Sequence, residues 1–139
     1  EIARAVMGEI KRGREVATTT RLYERIDRAL AFIPEEERKE AVKKSCQRTF
    51  QALRIDVNSE FEVLYEFLDK LPDVLKPGGR AAILTFHSGE DRIVKKSFKE
   101  MYRAGLYSQV ATDVIRPTAE ECRMNSRAHS TKMRWAIKA

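Results

Sequence analysis

The chain has 139 residues, 35% of them charged and 42% hydrophobic, with a formal net charge of +6 and a pI near 9.5. That is enough for one domain with a real core, or one domain plus a small insert. No apolar run approaches the roughly 20 residues that a membrane-crossing helix needs, no secretory signal opens the chain, and the basic balance favours a polyanion, nucleic acid first, as partner.

The first residues, EIARAVMGEIKR, already read as helix, with no initiator Met and no cap. The chain is therefore expected to be a fragment of something longer. Ile2, Val6 and Ile10 share one helical face, and Gly13 ends that helix. Thr18, Thr19 and Thr20 offer N-caps for a second helix with Leu22, Ile26, Leu30 and Ile33 as its buried stripe. Pro34 ends it and opens a third, whose first turn holds Glu35, Glu36 and Glu37, where the helix dipole favours acids. Phe50, Leu53, Val57, Phe61, Leu64, Leu68 and Leu71 continue one apolar stripe. This predicts a single long helix from about Ser45 to Leu71, kinked near Asn58-Ser59 and closed by Pro72.

Pro77-Gly78-Gly79 is a turn, and Arg80 to Phe86 is a short apolar run of the kind buried in a parallel sheet. A helix restarts at Glu90, with Val94 and Phe98 on its inner face and Gly105 as its C-terminal stop. Tyr107 to Ile115 reads as a strand broken by Arg116-Pro117. Thr118-Ala119-Glu120-Glu121 is a capping box for a short helix ending at Asn125, and Lys132 to Lys138 alternates as a final strand. A helical N-terminal part thus precedes an α/β part with a thin three-stranded sheet.

Ligands of open α/β sheets bind beyond the carboxyl ends of strands. The polar cluster His87, Ser88, Glu90, Asp91 and Arg92 lies at such an end. Ser88-Gly89-Glu90-Asp91 also fits a helix cap, and the two roles can coexist, because a capped helix N-terminus facing a cleft binds anions. A lone histidine in this place is structural or functional with equal plausibility, and Gly89 serves the turn. No G-x-G-x-x-G or G-K-[ST] occurs, and the Pro-Gly-Gly precedes a strand rather than following one, so it is not a phosphate loop. The two cysteines, Cys46 and Cys122, and two histidines have no metal-like spacing, so no metal is expected and the thiols are expected to be reduced. From Cys122 onward there is no Asp or Glu. Arg48, Arg54, Arg92, Arg127, Lys132 and Arg134 are candidates for phosphate contact, against the ordinary reading of scattered charge as a solvated face.

LKPGGR, a strand and TFHSGEDRIVK resemble the late-strand region, with its SFHSLEDR motif, of the S-adenosylmethionine-dependent small-subunit rRNA cytosine-N4-methyltransferases. RTFQALRIDVN (48–58), IRPTAEE (115–121) and NSRAHSTKMRWAIK (125–138) resemble three further motifs of that family in the same order, and IARAVMGEIKR with its TTT resembles the family's helical insert. Thr85, Gly89, Ser126 and His129 depart from the pattern. At Gly89 the family's Leu is missing, which loosens the turn and removes an apolar contact. The resemblance implies an α/β fold, the C-terminal part of a class I (Rossmann-like) methyltransferase sheet preceded by a helical insert domain. Residues 1–45 would be the insert and 46–139 the late half of the catalytic domain. It also implies S-adenosyl-L-methionine as cofactor, bound by residues expected before Glu1, and small-subunit rRNA or the ribosomal subunit as partner. A homodimer is open. The implied location is the cytoplasm, with chloroplast or mitochondrion as alternatives.

The implied reaction places a methyl group on the exocyclic amine of a cytidine. That amine is a poor nucleophile and must be held in line with its protons accepted, in a base turned out of its stack. His87, Ser88 and Asp91 are the catalytic candidates. His87 and Ser88 would line the pocket, and Asp91 and Arg92 would organise the turn. Two other classes stay open, an RNA-binding module without catalysis and an inactive structural fragment with an exposed sheet edge.

Overall fold

Ser59 divides the chain. In the computed structural model, which describes residues 1–139, its backbone stands at φ 50 and ψ 40. That is the left-handed region, which costs an L residue roughly 1–2 kcal/mol. One helix ends just before it, at Val57, and the next begins at Glu60. The single helix expected over 45–71 is therefore two. The stripe is evenly spaced, but its members serve different cores. Phe50 packs in one, Phe61, Leu64, Leu68 and Leu71 in another, and Leu53 and Val57 between them are exposed. The compact units are Glu1–Asn58 and Ser59–Ala139, so the boundary expected at residue 45 falls inside a helix.

The first unit is helical, with α1 (Ile2–Lys11), α2 (Thr19–Ala29) and α3 (Glu35–Val57). Gly13, at φ 71, takes the left-handed position after α1. Its N–H donates to Ile10 O and the Arg14 N–H to Glu9 O, both at 3.0 Å, which satisfies two terminal carbonyls as a Schellman motif. Thr18 caps α2 by accepting the Arg21 N–H at 3.2 Å. Leu22, Ile26, Leu30, Val42 and Cys46 form the core, and the Arg38 guanidinium grips Asp27 through Nε (3.1 Å) and Nη2 (2.9 Å) to join α2 to α3.

The second unit is mixed α/β: α4 (Glu60–Val74), β1 (Arg80–Thr85), α5 (Ser88–Arg103), β2 (Tyr107–Val110), α6 (Ala119–Met124), a 3-10 turn (Ser126–Ser130) and β3 (Lys132–Lys138). Pro72 does not close α4. It is buried in the last turn, and its ring leaves the Leu68 carbonyl without the N–H that residue 72 would otherwise donate. The sheet order is β1-β3-β2 and both pairings are antiparallel. This corrects the parallel, doubly buried strand expected at Arg80 to Phe86. Ala81 and Ile83 pack on the core of Leu68, Leu71, Ile93, Val94, Phe98, Tyr107 and Ala136, while Leu84 and Phe86 stay exposed. One-sided burial is what an antiparallel sheet with a single helical layer allows. Each fully buried apolar side chain here contributes about 1.5–3 kcal/mol. β2 is shorter than the strand expected to Ile115. The chain leaves the ladder after the Ala111 N–H donates to Trp135 O at 2.8 Å, and it rejoins β3 through an Ile115–Met133 bridge. After α5, Gly105 at φ 77 closes a second Schellman motif, with Leu106 N–H donating to Met101 O at 2.9 Å.

Candidate functional site

β1 delivers the chain to Phe86-His87, and α5 begins at Ser88. His87 has extended backbone (φ −138, ψ 163) and is the N-cap. Its Nδ1 accepts the N–H groups of Gly89 (3.2 Å) and Glu90 (3.4 Å). Glu90 reaches back, and its Oε2 accepts the N–H groups of Phe86 (3.0 Å) and His87 (3.4 Å). The capping box thus runs from His87 to Glu90, one residue earlier than the Ser88–Asp91 box expected from spacing. An imidazole nitrogen two atoms from its backbone fills the cap as an Asn oxygen would.

The cap fixes the tautomer. Nδ1 accepts two N–H bonds, so it carries no proton, and the proton of a neutral ring sits on Nε2. Nε2 lies 3.2 Å from Glu90 Oε1, close enough for attraction but without the alignment of a hydrogen bond. The Phe61 ring stands against the imidazole, centroids 5.9 Å apart. Gly89 has no left-handed backbone, so its use is space and not the turn. A Cβ there would lie 3.0 Å from Phe61 Cζ and 3.1 Å from His87 Nδ1.

Glu60, His87 and Glu90 bring one donor atom each within 4.8 Å of one another. As a metal site this set does not fit. A metal on Nε2 needs the ring proton on Nδ1, where the cap requires a lone pair.

Asp91, one residue further, faces β3. Its Oδ1 accepts from Arg134 Nε at 2.8 Å, its Oδ2 from Arg134 Nη2 at 3.3 Å, and Lys132 Nζ stands 3.9 Å away. Burial alone would raise the Asp91 carboxyl. The Arg134 hydrogen bonds and the charges of Arg134, Lys132 and Lys95 outweigh it and hold the group below its ordinary value.

The expected catalytic trio is therefore adjacent but not convergent. His87 and Asp91 are engaged in the fold, and Ser88 lies exposed outside the capping network. Arg134 is a correction among the phosphate candidates. It is buried, only 8% of its side chain exposed, and its guanidinium is committed to Asp91, with Lys132 facing the same carboxylate. Arg92 on α5 and Arg127 on the 3-10 turn are exposed, as are Arg48 and Arg54 on α3. Phe61 escaped the sequence reading because a residue on the preceding helix gives no local sign that it faces His87.

The model of the MraW methylase family matches residues 1–139, the whole chain. The chain belongs to the MraW methylase family. Curated relatives include Ribosomal RNA small subunit methyltransferase H 1 of Lachnoclostridium phytofermentans, 70% identical over 139 residues, and the protein of the same name from Agathobacter rectalis, 63% identical over 139 residues. Ribosomal RNA small subunit methyltransferase H 2 of Alkaliphilus metalliredigens is 62% identical over 138 residues. These alignments cover 100%, 100% and 99% of this chain but 38%, 40% and 40% of the relatives. The chain thus spans about two fifths of the length of the MraW relatives it matches. No helix is long and apolar enough to cross a membrane.

Proposed function

We propose that the chain is the C-terminal part of an S-adenosylmethionine-dependent methyltransferase that modifies the exocyclic amine of a cytidine in small-subunit rRNA. The observation that carries this reading is the family match along all 139 residues, with relatives named as small-subunit rRNA methyltransferases. In this reading the second unit supplies the last three strands of a class I sheet and the first unit is the family's helical insert. The exposed Leu84 and Phe86 and the unpaired side of β1 fit a sheet that continues. The bacterial relatives favour a bacterial cytoplasmic protein over an organellar one. No observation favours the homodimer.

The residues described do not make a cradle for the methyl donor. At the strand end Glu90 Oε2 is held by the Phe86 and His87 N–H groups, Glu90 Oε1 faces the His87 ring, and Asp91 is paired with Arg134, so both carboxylates serve the fold. Donor binding is assigned to parts of the longer family members outside this stretch. What these residues do is hold a wall. The His87–Glu90 box makes the strand-to-helix turn rigid, the Asp91–Arg134 pair ties that turn to β3, and Ser88 stands at the mouth, where its hydroxyl accepts a hydrogen bond from the base. Arg48, Arg54, Arg92 and Arg127 supply exposed cations for the RNA backbone.

Transfer of labelled methyl to small ribosomal subunits by a full-length protein carrying this segment tests the reading, with the modified nucleoside identified by mass. N4-methylcytidine is expected, with slower turnover for Ser88→Ala. No transfer, or label on another base, overturns it. A second reading, an RNA-binding module without catalysis, rests on the basic balance and the exposed arginines. RNA binding without any binding of the methyl donor to the full-length protein would decide for it.

A further inference from the structure

Glu9 is a buried carboxylate in the helical first unit, and more positive charge gathers on it than it needs. Its Oε1 accepts from Arg12 Nη1 at 3.3 Å. Its Oε2 lies 2.9 Å from Arg25 Nη2 and 3.3 Å from Arg14 Nε, ion-pair contacts whose angles fall short of hydrogen bonds. One arginine would offset the cost of burying one acid. Three leave two positive charges without a counter-charge in the cluster.

The local sequence builds this on purpose of geometry. Arg12 follows Glu9 by three positions, so it stands over the acid on the same helix face. Gly13 reverses the chain in its left-handed conformation, and Arg14 is thereby returned to the carboxylate it would otherwise leave behind. Arg25 arrives from α2, one turn on from Leu22 on the packed side of that helix, with 23% of its side chain exposed. Arg21, one turn earlier on that helix, donates from Nη1 to Glu15 O at 3.3 Å and holds the connecting loop down. The guanidiniums keep their free donors outward: 67% of the Arg12 side chain and 56% of that of Arg14 are exposed. A guanidinium has five N–H donors, and Glu9 occupies only a part of them. Beside Arg14 runs an open groove lined by Ile10, Gly13, Arg14, Glu15, Val16 and Ala17.

We infer that Glu9 is a positioning residue, and that Arg12 and Arg14, held by it while Arg25 pairs with it from α2, form a pre-set platform for the phosphate backbone of the RNA substrate. The inference rests on the rRNA reading for the nature of its ligand. A free arginine loses side-chain freedom when it grips a phosphate. Here the buried acid has already restricted the side chains, so less is lost on binding.

The test is RNA binding by a full-length protein carrying this segment, measured on a small-subunit rRNA fragment across a salt series. The Arg12→Ala/Arg14→Ala variant removes two exposed side chains and leaves Arg25 to pair with Glu9, so the fold is kept. Its affinity should fall on the order of tenfold, and the slope of log affinity against log salt should fall by about two. Unchanged affinity and slope overturn the proposal. Glu9→Gln adds one unit of positive charge. A mere charge effect would tighten binding, whereas loss of positioning weakens it, so tighter binding by this variant also overturns the proposal. Methyl transfer read in parallel separates the two claims. A changed salt slope in a protein that transfers no methyl sustains the platform and sinks the enzyme. Normal transfer with an unchanged slope does the reverse.

Discussion

Asp91 and Glu9 are two acids that each gather cations, with opposite outcomes. At Asp91 the cations go inside with the acid. Arg134 is buried and Lys132 nearly so, and the cluster joins α5 to β3. At Glu9 the acid is inside with Arg25 mostly covered beside it, and the Arg12 and Arg14 side chains extend into solvent. Both patterns look alike in sequence, as acids and arginines some residues apart. The burial of the cation decides whether the pair is a fastener or a display. A buried guanidinium has nothing left to offer a ligand, and an exposed one held at its base has most of its donors left.

The largest effect should come from opening the buried pair. Asp91→Ala leaves Arg134 without its counter-charge in a place water reaches poorly, and the second unit should lose about 3 kcal/mol in a urea titration. The same pair sets an acid limit. The Asp91 carboxyl titrates lower in the folded chain than in the unfolded one, so its stabilisation is complete above the ordinary carboxyl value of 3.8 and is lost as pH falls through the lowered one. Urea titrations at decreasing pH should show that loss in the parent, and Asp91→Asn should lack this part of it.

His87→Ala removes the acceptor for two N–H groups and should cost about 1 kcal/mol, with His87→Asp restoring most of it. Rescue of both stability and methyl transfer by Asp would mark His87 as a cap. Rescue of stability alone would give its ring a role in the chemistry. The smallest effect belongs to Glu9→Gln. The arginines it releases relax into water, and the loss should stay below about 1 kcal/mol by thermal melting. A loss as large as that of Asp91→Ala would erase the contrast between the two clusters.

Much of the local structure was legible because it depends on neighbours in sequence. Gly13 and Gly105 stop their helices, Thr18 and Thr118 cap theirs, and Lys132–Lys138 is a strand, as the pattern of residues demands. The misreadings share a cause, which is that distant partners decide. The direction of β1 is set by β3, whose Lys132 stands opposite Thr85 across most of the unit. The break at Ser59 follows from two separate cores claiming one apolar stripe. The stretch expected at the strand end does gather its polar residues, but spacing did not reveal which of them bond to which. Spacing alone does not tell whether Ser88 or His87 caps α5, and nothing near Arg134 in sequence announces that Asp91 will bury it.

β3 is the centre strand of its sheet although it is the last of the three to be made. β1 and β2 have no mutual ladder, so each depends on Lys132–Lys138 entering between them. Loss of Lys132–Lys138 would therefore take from β1 and β2 the one strand that joins them, and a protease would meet two loose segments in place of a ladder.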